Sequence, residues 1–240
     1  MKKIKVGLNN LYLFENSDNE YLLLDTGVGM NSDKIIKLLN DEIGNYNKIK
    51  VIVITHTHED HIGNLEKLKV LTNSKIICHE NAKIRLLNNK RILPNGFYKV
   101  SKIISNILKS SKVRDNKNKD MKEIKDIVFI NFKNIGESIT LNEFGFEEIN
   151  LIYTPGHSKD SISLETNVNN ENICCCGDVV QNIFLKEPLI PLFGEDRDEL
   201  FQSWKYIIFK NYRAIYPAIG KEITIEDMRR KMVKYEKNKI

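Results

Sequence analysis

Residues 55–61 run Thr-His-Thr-His-Glu-Asp-His, directly behind the apolar run Val51-Ile52-Val53-Ile54. Four consecutive β-branched apolar residues predict a strand buried on both faces. In extended chain, side chains at i and i+2 point the same way. His56 and His58 therefore converge on one point at the strand's end. Asp60 and His61 follow where the chain turns toward a helix, and can face a second point beside the first. Imidazole nitrogen and carboxylate oxygen suit zinc, and iron or manganese as well. Packing gives no reason to gather three histidines and a carboxylate within six residues.

The surrounding pattern is that of an α/β chain. Ile4–Val6, Leu11–Phe14 and Tyr21–Leu24 predict strands, and Asp25-Thr26-Gly27 closes the third. Ser32 is placed as the N-cap of a helix carrying Ile35, Ile36, Leu38, Leu39 and Ile43 on one face, stopped by Gly44. A helix over about Asn64–Leu71 and a strand at Ile76–Cys78 come next. Strands are predicted again at Ile127–Phe132, Ile139–Leu141, Phe146–Tyr153, Ser161–Glu165 and Asn172–Cys176, with a polar turn over Asn167–Asn172. A helix near 196–211, a short strand at Ala214–Tyr216 and a last helix from Thr224, boxed by Asp227, complete the chain. Strands alternating with helices predict layered sheets covered by helices.

Residues 82–127 stand apart. Ile84, Leu86 and Leu87, then Val100, Ile103, Ile104, Ile107 and Leu108, have helical spacing, broken at Pro94-Asn95-Gly96. Ser111–Lys119 is polar and unpatterned, and a mobile stretch is expected there. The region is read as a helical insertion. It is also basic: residues 83–133 hold 14 Lys/Arg against 4 Asp/Glu, net +10, so the rest of a chain of net +5 sums to −5. A solvated lysine-rich surface accounts for this, and nucleic acid is the sharper alternative partner.

The four cysteines are Cys78, Cys174, Cys175 and Cys176. Three in a row do not staple a fold, and thiolate zinc sites space their cysteines more widely, so interior packing is expected. The basic start Met1–Lys5 leads into Val6-Gly7-Leu8-Asn9-Asn10, which breaks the apolar stretch of a signal segment. No run approaches the roughly 20 apolar residues of a membrane span. A cytoplasmic protein of a single domain, 1–240, is expected.

The His-x-His-x-Asp-His run resembles the signature of the metallo-β-lactamase superfamily. Further motifs are similar along the chain: Leu24-Asp25-Thr26-Gly27, Thr154-Pro155-Gly156-His157-Ser158, Cys176-Gly177-Asp178, and Tyr216-Pro217-Ala218-Ile219-Gly220. The resemblance implies a four-layer αβ/βα sandwich with its site at one edge of two facing sheets. It implies one metal held by His56, His58 and His157, a bridging Asp178, and a second metal held by Asp60, His61 and Asp178. The family adds a last histidine to the second metal, and here that position is Ile219. The first ion, zinc by expectation, is then firm and the second weak. The fifth histidine, His79, is expected to be structural, and Asp25 to brace the metal loop. Arg197 and Lys221 are placed near the mouth, with surface solvation as their plainer role.

The chemistry implied is hydrolysis by a metal-bound hydroxide, with Asp60 as the catalytic residue that orients the nucleophile or shuttles a proton. Four classes follow: a hydrolase of small-molecule esters, thioesters or lactones; a nuclease; a mononuclear iron oxygenase acting on a persulfide; and a non-catalytic metal-binding module. The first is the leading expectation. The oligomeric state is not readable.

Overall fold

The computed structural model describes residues 1–29, 32–87, 95–97, 102, 106, 124–182 and 190–237. Among these, the strands are β1 (Lys2–Val6), β2 (Asn9–Glu15), β3 (Tyr21–Leu24), β4 (Ile49–Val53), β5 (Lys75–His79), β6 (Asn95–Gly96), β7 (Ile127–Ile130), β8 (Ser138–Leu141), β9 (Phe146–Tyr153), β10 (Ile162–Val168), β11 (Glu171–Cys175), β12 (Phe193–Gly194) and β13 (Ala214–Tyr216). The α-helices are α1 (Ser32–Ile43), α2 (Glu59–Ile62), α3 (Leu65–Thr72), α4 (Lys83–Leu86), α5 (Arg197–Lys210) and α6 (Ile225–Lys237).

Two sheets face each other. One has the order β1-β2-β3-β4-β5-β7 and the other β13-β11-β10-β9-β8. The alternation within each strand decides which layer each residue enters. In β4 and the residue after it, Val51 and Val53 join the cluster between the sheets, while Ile49, Ile52 and Ile54 join the cluster under the helices. Strands β2 and β3 divide likewise, with Tyr12, Phe14, Leu22 and Leu24 inward and Leu11, Leu13, Tyr21 and Leu23 outward. Helix α1 seats Ile35, Leu39 and Ile43, four residues apart, on the outer face of the first sheet. On the second sheet, Leu200, Phe201, Trp204 and Ile207 of α5 and Met228 and Met232 of α6 do the same. The result is an α/β sandwich of four layers, helix, sheet, sheet, helix, as expected.

The cysteines are interior residues of this arrangement. Cys174 and Cys176 enter the cluster under the helices and Cys175 the one between the sheets. All four are free and buried, and burial pushes the thiols upward, that of Cys176 to about 12. They stay protonated and apolar in behaviour.

Several boundaries differ from the sequence-based expectation. The helix predicted from Asn64 is preceded by a separate turn, α2, which carries Asp60 and His61. Between the two helices stands Gly63, where a Cβ would come within 2.1 Å of the Gly29 nitrogen, so a side chain does not fit. The polar turn at Asn167–Asn172 is tighter than predicted. Val168 pairs with Glu171, and the two residues between, Asn169 and Asn170, take φ of 53° and 64°. Positive φ at both central residues matches the twist of the hairpin, and asparagine tolerates it.

The region read as an insertion lies in the connection between β5 and β7. Strands β5 and β7 are parallel neighbours, Ile76 opposite Ile127, so the chain from 80 to 126 is the crossover that a parallel pair requires. Its described parts are a 3₁₀ turn at Glu80–Ala82, α4, and β6 against β12. The stretch expected to be mobile, Ser111–Lys119, lies outside the described residues. No helix of the described residues is long and apolar enough to cross a membrane.

The topology gathers the loops at one edge. Parallel β3, β4 and β5 all end there, and antiparallel β2 begins there, since Tyr12 pairs with Leu24. The ends of β9, β11 and β13 reach the same edge from the second sheet, where the Cys176 amide bonds the Tyr216 carbonyl. One backbone bond, from the Ile162 amide to the Thr55 carbonyl (2.9 Å), links the loop ends of the two sheets.

The turn before His157 depends on Gly156, which has φ +114° and lies so close to α5 that a Cβ would fall 2.1 Å from the Leu200 nitrogen. Gly156→Ala is expected to cost at least about 2 kcal/mol, because strain and a backbone clash act together. Urea unfolding at neutral pH measures this, and a loss below about 0.5 kcal/mol contradicts the packing described.

Candidate metal centre

Four loops supply the site. The Thr55–His61 loop leaves β4, residues 154–160 leave β9, residues 176–178 leave β11, and Asp25–Gly27 leaves β3. Each loop is pinned by its own hydrogen bonds before any metal is considered.

Asp25, buried with φ 62°, accepts from the Thr55 amide and the Thr55 hydroxyl, both at 2.8 Å, and from His61 Nδ1, also at 2.8 Å. Thr26 holds the far end of the same loop through its amide and its hydroxyl, both 2.7 Å from the His61 carbonyl. Asp160 reaches across from the second sheet. Its Oδ2 accepts from the Thr57 amide (2.9 Å) and hydroxyl (2.6 Å), fixing the residue between His56 and His58.

These restraints leave three nitrogens facing one another. His56 Nε2 lies 3.0 Å from His58 Nδ1 and 3.1 Å from His157 Nε2, and the last two atoms are 2.9 Å apart. A triangle with such sides has its corners about 1.7 Å from its centre, inside the about 2.0–2.1 Å of a zinc–nitrogen bond. The opposite nitrogens explain which atoms are bare. His157 Nδ1 donates to the Phe193 carbonyl at 3.0 Å, leaving Nε2 as a lone pair. Thr55 Oγ1 gives its proton to Asp25 and so accepts from His56 Nδ1 at 3.1 Å, leaving that Nε2 bare too.

The second group is adjacent. His61 Nδ1 is spent on Asp25, and its Nε2 lies 3.6 Å from Asp178 Oδ2 and 3.7 Å from Asp60 Oδ2. Gln181 Nε2 donates to Asp178 Oδ2 at 2.7 Å. Among the described residues, His61 Nε2, His58 Nε2 and Asp178 Oδ1 are buried with no hydrogen-bond partner. Buried polar atoms are rarely left so. Among the described residues, the histidine and carboxylate groups able to hold an ion are His56, His58 and His157, and His56, His61 and Asp178. Asp60 sits at the rim, its side chain 36% exposed.

Electrostatics divides the two groups. Burial, then the neighbouring rings, holds His56 well below its ordinary value, and burial lowers His58 as well. Burial is also the main cause of the lowering of His157, to about 3. Burial opposes a charge on His61, yet the carboxylates of Asp25, Asp60 and Asp178 outweigh it and raise this ring well above the usual range. Asp178 is lowered to about 2, since the attraction of His61 overcomes the burial that would raise it.

Every residue placed in the site from the sequence is at this edge. Ile219 is there too, opposite Asn9 in an isolated antiparallel bridge. His79 is not in the cluster: it stacks on Tyr153 at 4.6 Å, with Nδ1 accepting from the Asn81 amide and Nε2 facing the Phe132 carbonyl at 3.3 Å. Arg197 lies over the rings of Phe201 and Tyr235, and Lys221 is exposed. Sequence reasoning missed Thr55, Asp160, Gln181 and Asn9. Gln181 and Asp160 each lie three residues from a site residue, a weak signal. Asn9 lies 51 positions from its partner Asp60 and carries none.

The sequence matches the family described as the metallo-beta-lactamase superfamily over residues 4–218. No curated protein matches it. Among solved structures, it is similar to a metallo-beta-lactamase superfamily protein of the archaeon Sulfolobus tokodaii, with TM-score 0.63 and 18% identity over 97% of this chain and 84% of that one. It is also similar to a metallo-beta-lactamase family protein of Thermus thermophilus (0.64, 18%, 98% and 76%). A third is a Cronobacter sakazakii metallo-beta-lactamase with a HARLDQ motif (0.61, 13%, 98% and 90%).

The neutral rings make the metal-free protein acid-sensitive. His56, His58 and His157 regain ordinary values near 6.5 on unfolding. Between that pH and their lowered folded values the unfolded chain binds more protons, so stability rises with pH there. It is full above about 6.5 and falls as the pH drops toward the folded values. His61 does not offset this, since the contribution of a raised group is complete below about 6.5. Urea midpoints of chelator-treated protein are expected to decrease steadily from pH 7 to pH 4.5, and a flat or rising series contradicts neutral rings.

Proposed function

The chain belongs to the metallo-beta-lactamase superfamily, and from that premise we propose that it is a metal-dependent hydrolase of small-molecule esters, thioesters or lactones. The observation that carries the metal reading is the triangle of facing nitrogens on His56, His58 and His157, each side about one ligand–ligand spacing long. Those three residues would hold the first ion, with Asp178 beside them, its Oδ2 3.8 Å from His157 Nε2. Asp60, His61 and Asp178 would hold a second ion more weakly, because Ile219 stands where the family places a further histidine. Zinc suits the nitrogen-rich position, and iron or manganese are the alternatives.

A divalent ion bound there supplies a water acidic enough to be a nucleophile near neutral pH. The chain's own residues do the remaining work. Asp25 and Asp160 keep the loop rigid, so the ligand atoms need no rearrangement. The Asp60 carboxylate, partly exposed at the rim, orients the water, accepts its proton and returns it to the leaving group. Four free, buried cysteines fit a reducing compartment such as the cytoplasm.

A second reading, a phosphodiesterase acting on nucleic acid, is favoured by the net +10 of residues 83–133. Strand β12 of the segment that holds His157 pairs with β6 of that same crossover.

Metal analysis of the purified protein together with a panel of thioester, lactone and phosphodiester substrates tests the proposal. One firmly held ion per chain and turnover of the carbonyl substrates are expected. Two tightly held zinc ions overturn the weak second position, salt-sensitive phosphodiester cleavage moves the assignment to the second reading, and bound iron with oxygen consumption moves it to a persulfide oxygenase. His58→Ala is expected to lose the ion. Asp60→Asn is expected to keep it while kcat falls by about 10²–10⁴, and an unchanged kcat removes Asp60 from the chemistry.

A further inference from the structure

The position emptied by Ile219 has a polar neighbour. Asn9 opens β2 and forms an antiparallel bridge with Ile219. Residues directly opposite in such a pair project to the same face with their Cβ atoms about 5 Å apart. Asn9 therefore stands beside the side chain that replaces the family's histidine. The register is held firmly. The Asn10 amide bonds the Ala218 carbonyl at 2.6 Å, the Asn10 side chain bonds the carbonyls of Pro217 (2.9 Å) and Gly220 (2.8 Å), and the Tyr12 hydroxyl bonds Pro217 at 2.8 Å.

Asn9 is 5% exposed, and among the described residues its side-chain amide has one hydrogen bond, from Nδ2 to Asp60 Oδ2 at 3.3 Å. That distance is also an edge of a coordination shell. Two ligand atoms of one ion lie about 3.0–3.4 Å apart when the bonds are about 2.1 Å. Rotating the amide by half a turn about χ2 puts Oδ1, a neutral oxygen ligand, where Nδ2 now lies. His61 Nε2, buried and without a hydrogen-bond partner among the described residues, lies 3.7 Å from the same Asp60 Oδ2 and 3.6 Å from Asp178 Oδ2.

We propose that Asn9 is the fourth protein ligand of the second ion position, its side-chain oxygen serving with Asp60, His61 and Asp178 in place of the histidine lost at Ile219. One imidazole, two carboxylates and an amide form a mostly oxygen set, the kind that takes Mn²⁺ readily. The inference rests on the metal-centre reading above and adds a ligand that the sequence motif does not contain.

The test is calorimetric titration of the metal-free full-length chain with Mn²⁺, with bound ion counted independently from the loss of the free Mn²⁺ electron paramagnetic resonance signal. The unaltered chain is expected to take one equivalent and then a weaker second. Asn9→Ala is expected to weaken the second step by about 10- to 100-fold and leave the first unchanged. Asn9→Asp, which sets a charged oxygen at the same place, is expected to tighten the second step. A second step that neither variant alters overturns the role of Asn9, and so does an unaltered chain that stops at one equivalent. An unaltered chain that takes no ion at all overturns the metal-centre reading itself, so the two failures are distinct. Should Asn9→Ala disturb folding and lose the first step as well, Asn9→Asp decides: an unchanged or weaker second step in that variant rejects the proposal.

Discussion

The Asp25 carboxylate is the anchor on which the candidate centre depends. It is buried at the end of β3, and its two oxygens take three donors: the Thr55 amide, the Thr55 hydroxyl and His61 Nδ1. A buried carboxylate is costly unless it is fully bonded, so these contacts are obligatory as well as favourable. They act on both ends of the loop between Thr55 and His61. Through Thr55, Asp25 selects the tautomer of His56. Through its direct bond, it turns the other nitrogen of His61 toward Asp178. One carboxylate that reaches neither nitrogen triangle nor rim thereby decides which atoms of two histidines are available to an ion.

The loop's middle is restrained from the opposite sheet. Asp160 holds Thr57, and the Ile162 amide meets the Thr55 carbonyl. Both contacts require the ends of β4 and β9–β10 to lie at the same edge. That alignment comes from the inner core, where Val51 and Val53 pack with Leu151, Tyr153, Ile162 and Leu164. Strand packing and site geometry are therefore one constraint. A shift of either sheet by a single residue would exchange inward for outward side chains and separate Asp160 from Thr57.

What was legible in the sequence follows from the range of each signal. Local periodicity identified β4, α1 and α5 because their apolar residues repeat within a few positions. The Thr224–Asp227 box was legible for the same reason, and both of its reciprocal bonds form, the Thr224 amide to Asp227 Oδ2 and the Asp227 amide to Thr224 Oγ1. The histidines and aspartates of the motifs are all at the site edge, since each lies just past a strand end. The reading failed where one local pattern permits two structures. The helix read from Asn64 begins at Leu65, but nothing in residues 59–62 marked the separate turn α2 that carries Asp60 and His61. The parallel pairing of β5 and β7 was not legible either, because it joins residues some 50 positions apart. Asn9 was invisible for the same reason: its partners lie at 60 and 219.

The two halves of the His-x-His-x-Asp-His run are adjacent in sequence but opposite in charge preference. His56 and His58 extend from a buried strand into a space lined by other rings, so burial keeps them neutral. His61 sits one helical turn on, between Asp25, Asp60 and Asp178, which favour its charged form despite its burial. The helical turn of α2 causes this difference. It rotates His61 out of line with the two preceding histidines and toward the carboxylates at the ends of β3 and β11. A nitrogen-rich half and a carboxylate-rich half therefore arise from one continuous segment, separated only by the change from extended to helical backbone at Glu59. The asymmetry of the centre is a property of the backbone before it is a property of Ile219.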